Sequence, residues 1–208
     1  VYDYKGKSSG LTSAKTQLVD FINNINSKSG AELQAYVSSK MDINLFLKTY
    51  AVNVTLGMWD VYWRNSNNFY FYFDADGKFY FIPYDYDNTL GTSFEMADSG
   101  TQNPLEWGKS TENPLVAKIL SIPEYKMVYI KYLNDLIDKK YDLFYGTYSQ
   151  QRILNWRSKI APYISNDTGE DMTIQDLPAS WGNQSRYRLF SGDQNNFFTA
   201  KANSIPKN

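Results

Sequence analysis

Two aromatic runs, Phe69-Tyr70-Phe71-Tyr72-Phe73 and Phe79-Tyr80-Phe81-Ile82, flank Asp74-Ala75-Asp76-Gly77 and constrain the fold more than any other feature of the chain. Large aromatic side chains in such runs favour a pleated surface, and Pro83 stops the second one. Strands are expected over Phe69 to Phe73 and Lys78 to Ile82. Asp76-Gly77 is expected to join them in a hairpin turn of the primed type.

Acids and amides gather at the open end of this hairpin. Asp60 precedes it, followed by Asn65-Ser66-Asn67-Asn68, and Asp85 and Asp87 come after Pro83. The stripe Ile43, Phe46, Leu47, Tyr50, Val54 and Met58 has helical spacing, and Asp42 is placed to cap it, so a buried helix is expected to end just before Asp60. Asp85 and Asp87 alternate, so in a continued strand they share a face and repel unless a cation lies between them. A turn after Pro83 instead exposes both to solvent. Carboxylates brought from both ends of a hairpin toward one divalent ion are the arrangement of metal-dependent phosphoryl transfer. In kinases a catalytic-loop Asp takes the proton of the acceptor hydroxyl, an Asn holds metal, and an Asp past the next hairpin holds the phosphate-bridging metals. The order here is the same, although neither an H-R-D nor a D-F-G tripeptide is present.

The run Ala51-Val52-Asn53, Gly57-Met58-Trp59-Asp60, Asn67-Asn68-Phe69-Tyr70-Phe71-Tyr72, Phe81-Ile82-Pro83-Tyr84-Asp85-Tyr86-Asp87 and Leu90-Gly91 resembles the spore-coat protein H (CotH) family of atypical, secreted protein kinases. That family reads W-D, then H-N-Y, a hairpin, P-W-D-L-D and a closing F-G or L-G. Here Asn67 stands in place of the family's His, Tyr84 in place of the Trp, and the segment from Asp60 to Asn68 is longer. The resemblance extends over about Val1 to Asp142. It implies Asp60 as catalytic base, Asn68, Asp85 and Asp87 as metal ligands, and Mg²⁺ or Mn²⁺ with ATP as cofactors. Asn65 is the alternative to Asn68, because it has the five-residue offset of the kinase catalytic loop, whereas Asn68 directly precedes the strand. Implied partners are a nucleotide and a secreted or coat protein with Ser or Thr acceptors.

Composition narrows the chemistry. With 208 residues and 42% hydrophobic content the chain can bury one sizeable core, and a single domain over 1–208 is expected. Zero Cys and zero His remove thiolate nucleophiles, Ser-His-Asp triads and the usual zinc sites, so any bound metal takes oxygen ligands. A formal net charge of -1 leaves no basic footprint for nucleic acid. No apolar run is long enough to span a bilayer. The first residue is Val1 and no strand periodicity precedes Tyr50, so a signal peptide and the β-rich lobe of a kinase are expected upstream, this chain being the carboxy-terminal lobe with little nucleotide affinity by itself.

The remainder reads as mainly helical, an α+β chain with one hairpin carrying the site. Leu11, Ala14, Leu18, Phe21, Ile22 and Ile25 mark a first helix and Ala31 to Ser38 a second. Phe94 to Ser110 reads as a long loop in the position of a kinase activation segment. Asn113-Pro114 is expected to start a helix, and Ser121-Ile122-Pro123-Glu124 to box the start of a longer one with the face Tyr125, Val128, Tyr129, Tyr132, Leu133, Leu136 and Ile137. Thr147-Tyr148-Ser149-Gln150 is read as the start of another, with Ile153, Leu154, Arg157, Ile160, Ala161 and Ile164 on its face. Residues 167–176 are expected to be a loop, before a last helix over about Ser185 to Ala202.

Weaker motifs are discounted on their chemistry. Asp74-Ala75-Asp76-Gly77 lacks the further acids of a calcium loop, and Lys5-Gly6-Lys7-Ser8-Ser9-Gly10 lacks the leading Gly and strand of a phosphate loop. Of the glycosylation sequons at Asn53, Asn166 and Asn183, the first falls on the buried helix. The reading opposed to catalysis is an extracellular module on the same scaffold whose aromatic surface binds carbohydrate or protein.

Overall fold

The computed structural model describes residues 2–93, 99–108, 113–141, 143–144, 146–163, 183–184 and 196–207. They fall into two compact units, one of residues 1–49, 60–85 and 108–129, the other of 50–59, 86–107 and 130–208. Both are mainly helical. No helix of the described residues is long and apolar enough to cross a membrane.

In the first unit, helices α1 (Leu11–Ser27) and α2 (Gly30–Lys40) lead into α3 (Ile43–Leu56), whose later residues belong to the second unit. As expected, Asp42 caps α3, its Oδ1 accepting the Leu45 N–H at 3.0 Å. A one-turn helix α4 (Tyr62–Asn65), strands β1 (Phe69–Phe73) and β2 (Phe79–Pro83), helix α5 (Leu115–Leu120) and the start of α6 (Pro123–Ile137) complete the unit. Lys118 of α5 ties down the end of α1. Its Nζ donates to the carbonyls of Asn26 and Lys28 at 2.8 and 3.1 Å, oxygens that the helix end leaves without an intrahelical donor.

The hairpin sorts its aromatics by chemistry. β1 and β2 pair antiparallel with Phe69 opposite Pro83 and Phe73 opposite Phe79, so Phe69, Phe71, Phe73, Phe79 and Phe81 share one face. That face is the buried one. Phe79 stacks on Phe21 of α1 with centroids 4.3 Å apart, and Phe81 lies 4.9 Å from Trp63 and 6.1 Å from Phe46. Tyr62 meets Phe69 and Phe71 at 5.2 and 5.3 Å, and burial raises the pKa of its phenol, which therefore stays neutral. The other face carries the hydroxyls, with Tyr70 against Tyr84 at 5.1 Å and Tyr72 against Tyr80 at 5.9 Å. Gly108 has φ +67, and a Cβ there would stand 2.6 Å from the Cβ of buried Trp63, so the position requires glycine.

The turn differs from the primed type expected at Asp76-Gly77. Asp74 N–H donates to Lys78 C=O and Gly77 N–H to Asp74 C=O, each at 3.0 Å, and of the two central residues only Gly77 has positive φ. A primed type I turn requires positive φ at both. The Asp74 carboxylate accounts for the difference: its Oδ1 accepts the N–H of Asp76 and of Lys78 at 3.0 and 2.8 Å, fixing a three-residue loop with a glycine bulge. Ser121 departs from its expected role too, because its hydroxyl donates back to Lys118 C=O at 2.7 Å instead of boxing the start of α6. The Asn113 amide, expected to cap α5, is bonded to Ser66 Oγ at 2.9 Å.

In the second unit, the later parts of α3 and α6 are joined by α7 (Gly146–Ile160) and α8 (Phe197–Ser204). A short antiparallel pair, β3 (Thr92–Ser93) with β4 (Asn183–Gln184), adds strands that the sequence did not signal. Phe144, Phe197 and Phe198 form a core on which Leu56, Leu90, Leu136, Ile137 and Ile153 pack. Leu154 and Ile160, expected on the buried face of α7, are exposed. The last helix begins at Phe197, because Asn196 caps it by accepting the Thr199 N–H at 2.8 Å; the earlier part of the expected helix and the expected loop over 167–176 lie outside the described residues.

Candidate active site

Helix α3 ends where Gly57 takes φ +70, with Gly57 N–H bonded to Val54 C=O at 3.0 Å and Met58 N–H to Asn53 C=O at 2.9 Å. This double bond satisfies the last carbonyls and turns the chain out of the helix, and it needs a residue that tolerates the left-handed region. Three residues later Asp60 opens the site of the first unit.

The chain then wraps around one carbonyl. The N–H groups of Arg64, Asn65 and Ser66 all lie 3.1 to 3.2 Å from Val61 C=O, and Ser66 leaves α4 at φ +60. Asn68 follows at φ +49, a conformation that asparagine tolerates. This wrap returns the amides to the carboxylate they follow in sequence. Asp60 Oδ1 accepts from Asn65 Nδ2 and from Asn67 Nδ2, the latter at 3.2 Å, while Oδ2 accepts from Asn68 Nδ2 at 3.0 Å. Three donors from one loop fix the half-buried carboxylate in place. The Asn113 bond to Ser66 Oγ ties the loop to the start of α5.

Asn68 also joins this carboxylate to the far strand. Its C=O accepts the Tyr84 N–H at 3.0 Å, which extends the β1–β2 ladder one step past the Phe69–Pro83 pair. Asp85 is the next residue, at φ +59 and exposed. Partners across an antiparallel ladder lie about 4.5–5.5 Å apart at Cα and neighbours along a chain 3.8 Å, so the Cα atoms of Asn68 and Asp85 are within about 9 Å. The first unit thus brings Asp60, Asn65, Asn67 and Asn68 together at the open end of the hairpin, with the backbone of Asp85 next to Tyr84 on the facing strand. A cavity of about 370 Å³ lined by residues including Ser38, Asp42, Glu124 and Tyr125 contains none of them.

Asp87 belongs to the second unit, where it is exposed and accepts Asn88 Nδ2 at 3.0 Å. Its segment hangs on α3: Tyr86 Oη donates to Asn53 Oδ1 at 2.8 Å, and Leu90 N–H to Leu56 C=O at 2.8 Å. Asn53 is fully buried, in keeping with the discounted sequon, and its anchoring role escaped the sequence reading. The available signal was an amide set among the apolar positions of a helix.

The donor set is all oxygen, carboxylates of Asp and amide carbonyls of Asn, which suits Mg²⁺ or Mn²⁺. With each Nδ2 committed to Asp60, the Oδ1 atoms of the asparagines are the ligand atoms they have to offer. Among the described residues no group of three acidic side chains is arranged to hold a metal alone.

Comparison with known proteins yields one match. No curated protein and no solved structure matches the chain. A family model described as CotH kinase protein matches residues 1–195, which takes in Asp60, the amide run, the hairpin, Asp85 and Asp87. With that match spanning nearly the whole chain, and with the W-D, Asn and P-Y-D segments meeting at one hairpin, the protein belongs to the CotH kinase family.

Proposed function

We propose that this protein is a catalytic kinase lobe that moves the γ-phosphoryl group of ATP to a Ser or Thr hydroxyl of a protein. Asp60 orients the acceptor hydroxyl and takes its proton as the new O–P bond forms and the bond to the departing ADP breaks. Asn68 and Asp85 hold the divalent ion, which supplies charge neutralisation at the phosphates when bound. Asn68 is assigned ahead of Asn65 because it is buried and bonded through its backbone to the strand that ends at Asp85. Asp87 is assigned by its place in the motif. The family resemblance points to secreted or coat proteins as acceptors and to a coat or cell-surface location.

The observation that carries this reading is the Asp60 carboxylate fixed by amides of the loop whose last member pairs with the residue before Asp85. Little covalent chemistry is asked of the protein in phosphoryl transfer, so a rigidly placed base and a nearby metal ligand are what the reaction needs. The test, on the full-length protein of which this chain is expected to be the carboxy-terminal lobe, is incorporation of label from γ-labelled ATP, with Mn²⁺ or Mg²⁺, into the protein itself and into dephosphorylated casein. Incorporation that requires the metal and disappears in D60N supports the assignment. Equal incorporation in D60N overturns it.

The Tyr70, Tyr72 and Tyr84 rings, exposed on the outer face of the hairpin, favour one other reading, a carbohydrate-binding module without catalysis. Specific signals on a glycan array together with no metal-dependent incorporation would select it.

A further inference from the structure

Helix α8 lies beyond the residues that the family model matches, yet it covers a strap of the second unit. Residues 99–107 run along α3. At one end, a Cβ on Gly57 would stand 3.1 Å from Ser99 Oγ; at the other, the Tyr50 hydroxyl donates to Trp107 C=O. Tyr50 and Gly57 are two helical turns apart, and so mark one side of the helix. Asn103 bends the strap between these points, its Oδ1 accepting Leu105 N–H at 2.9 Å and its C=O accepting the N–H of Glu106 and Trp107 at 3.0 Å.

From α8, Phe197 Cζ lies 3.2 Å from the same Gly57 Cβ position, and Lys201 places Nζ 4.9 Å from the centroid of the Trp107 ring. Residues four apart share a helix face, so one face of α8 meets Trp107 of the strap and the Gly57 end of α3 beside Ser99. Lys201 is fully buried and Trp107 is 3% exposed. An ammonium in such a place costs desolvation, and the attraction of the ring face beneath it offsets part of that cost and holds the strap to α8. The same stretch of α3 carries the Tyr86 and Leu90 anchors of the segment that contains Asp87.

We propose that α8 is a clamp on this strap, and that Lys201 is a positioning residue that acts through Trp107 and α3 on the segment bearing Asp87. The second part rests on Asp87 being a metal ligand. The clamp itself is read without any activity, by chymotrypsin cleavage after Leu105 and Trp107 in the full chain under native conditions. Lys201→Met is expected to speed cleavage about tenfold, because a strap that has lost its ring contact opens more often, while Lys201→Arg, which keeps a cation on the ring, is cleaved at the wild-type rate. In the transfer assay Lys201→Met should raise the Mn²⁺ concentration for half activation about fivefold and leave KM for casein unchanged.

Cleavage of Lys201→Met at the wild-type rate overturns the clamp. Faster cleavage with an unchanged Mn²⁺ requirement keeps the clamp and removes Lys201 from the positioning of Asp87. Absence of transferase activity in the full-length wild type refutes the kinase reading, and the cleavage rates still decide the clamp. Should Lys201→Met not fold, Trp107→Phe, which keeps a ring but weakens its attraction for the ammonium, is read by cleavage after Leu105, the site that the substitution leaves intact, and is expected to speed it.

Discussion

Asp60→Asn is expected to lower kcat for phosphoryl transfer by about a hundred- to ten-thousandfold, the range that a general base contributes. KM for ATP should stay within about threefold of wild type, since an interaction made only in the transition state leaves ground-state binding unchanged. The substitution, made in the full-length protein, keeps the size of the side chain and one acceptor oxygen, so that a neighbouring amide among Asn65, Asn67 and Asn68 turns its own oxygen to the new NH2 group, and it removes the charge that takes the proton. Steady-state rates with labelled ATP and casein measure both constants. A fall in kcat below tenfold would show that Asp60 does no proton transfer and leave it as an anchor of its loop.

Phe79→Ala should have the largest effect on stability, a loss of about 3–5 kcal/mol as for other buried phenylalanines cut to alanine. Phe79 is 1% exposed and touches three rings, Phe21 of α1 and Phe71 and Phe73 of β1, with centroids 4.3, 5.1 and 5.6 Å away. It also forms the bridge that joins Met41 to the hairpin. The cavity left by its removal would separate the sheet from α1 and α2, on which the open end of the hairpin depends for its rigidity. Tyr72→Ala, at an exposed position of the outer face, serves as the control and should cost well under about 1 kcal/mol. Urea unfolding followed by circular dichroism checks both, and equal midpoints for the two variants would contradict the account of the hairpin.

The hairpin and the helices around it were legible because their signals are local. Alternation of Phe and Tyr gives strand and facing together, and Asp42 marks the start of α3, whereas the helical stripe read through Met58 overran the end of the helix, which Gly57 sets at Leu56. The turn was misread because the Asp74 side chain selects its type, and a dipeptide rule does not count a carboxylate two residues upstream. The wrap that returns Asn65, Asn67 and Asn68 to Asp60 was illegible for a different reason. It depends on left-handed conformations at Ser66 and Asn68 and on three N–H groups sharing Val61 C=O, none of which leaves a periodic trace. The anchoring of the Asp87 segment by Asn53 and Leu56, and the covering of the strap by Lys201, are contacts between residues far apart in sequence. Composition and spacing do not report such pairs.

The most direct test of the central claim is a Mn²⁺ titration in the presence of ATP, followed by electron paramagnetic resonance of the ion, on the full-length protein as wild type, Asp85→Ala, Asn68→Ala and, as control, Asp76→Ala in the exposed turn. The account predicts that Asp85→Ala and Asn68→Ala each weaken Mn²⁺·ATP binding about tenfold or more, since loss of a ligand costs at least as much as loss of a group that merely orients one, and that Asp76→Ala binds as the wild type does. Wild-type affinity in both Asp85→Ala and Asn68→Ala would contradict it.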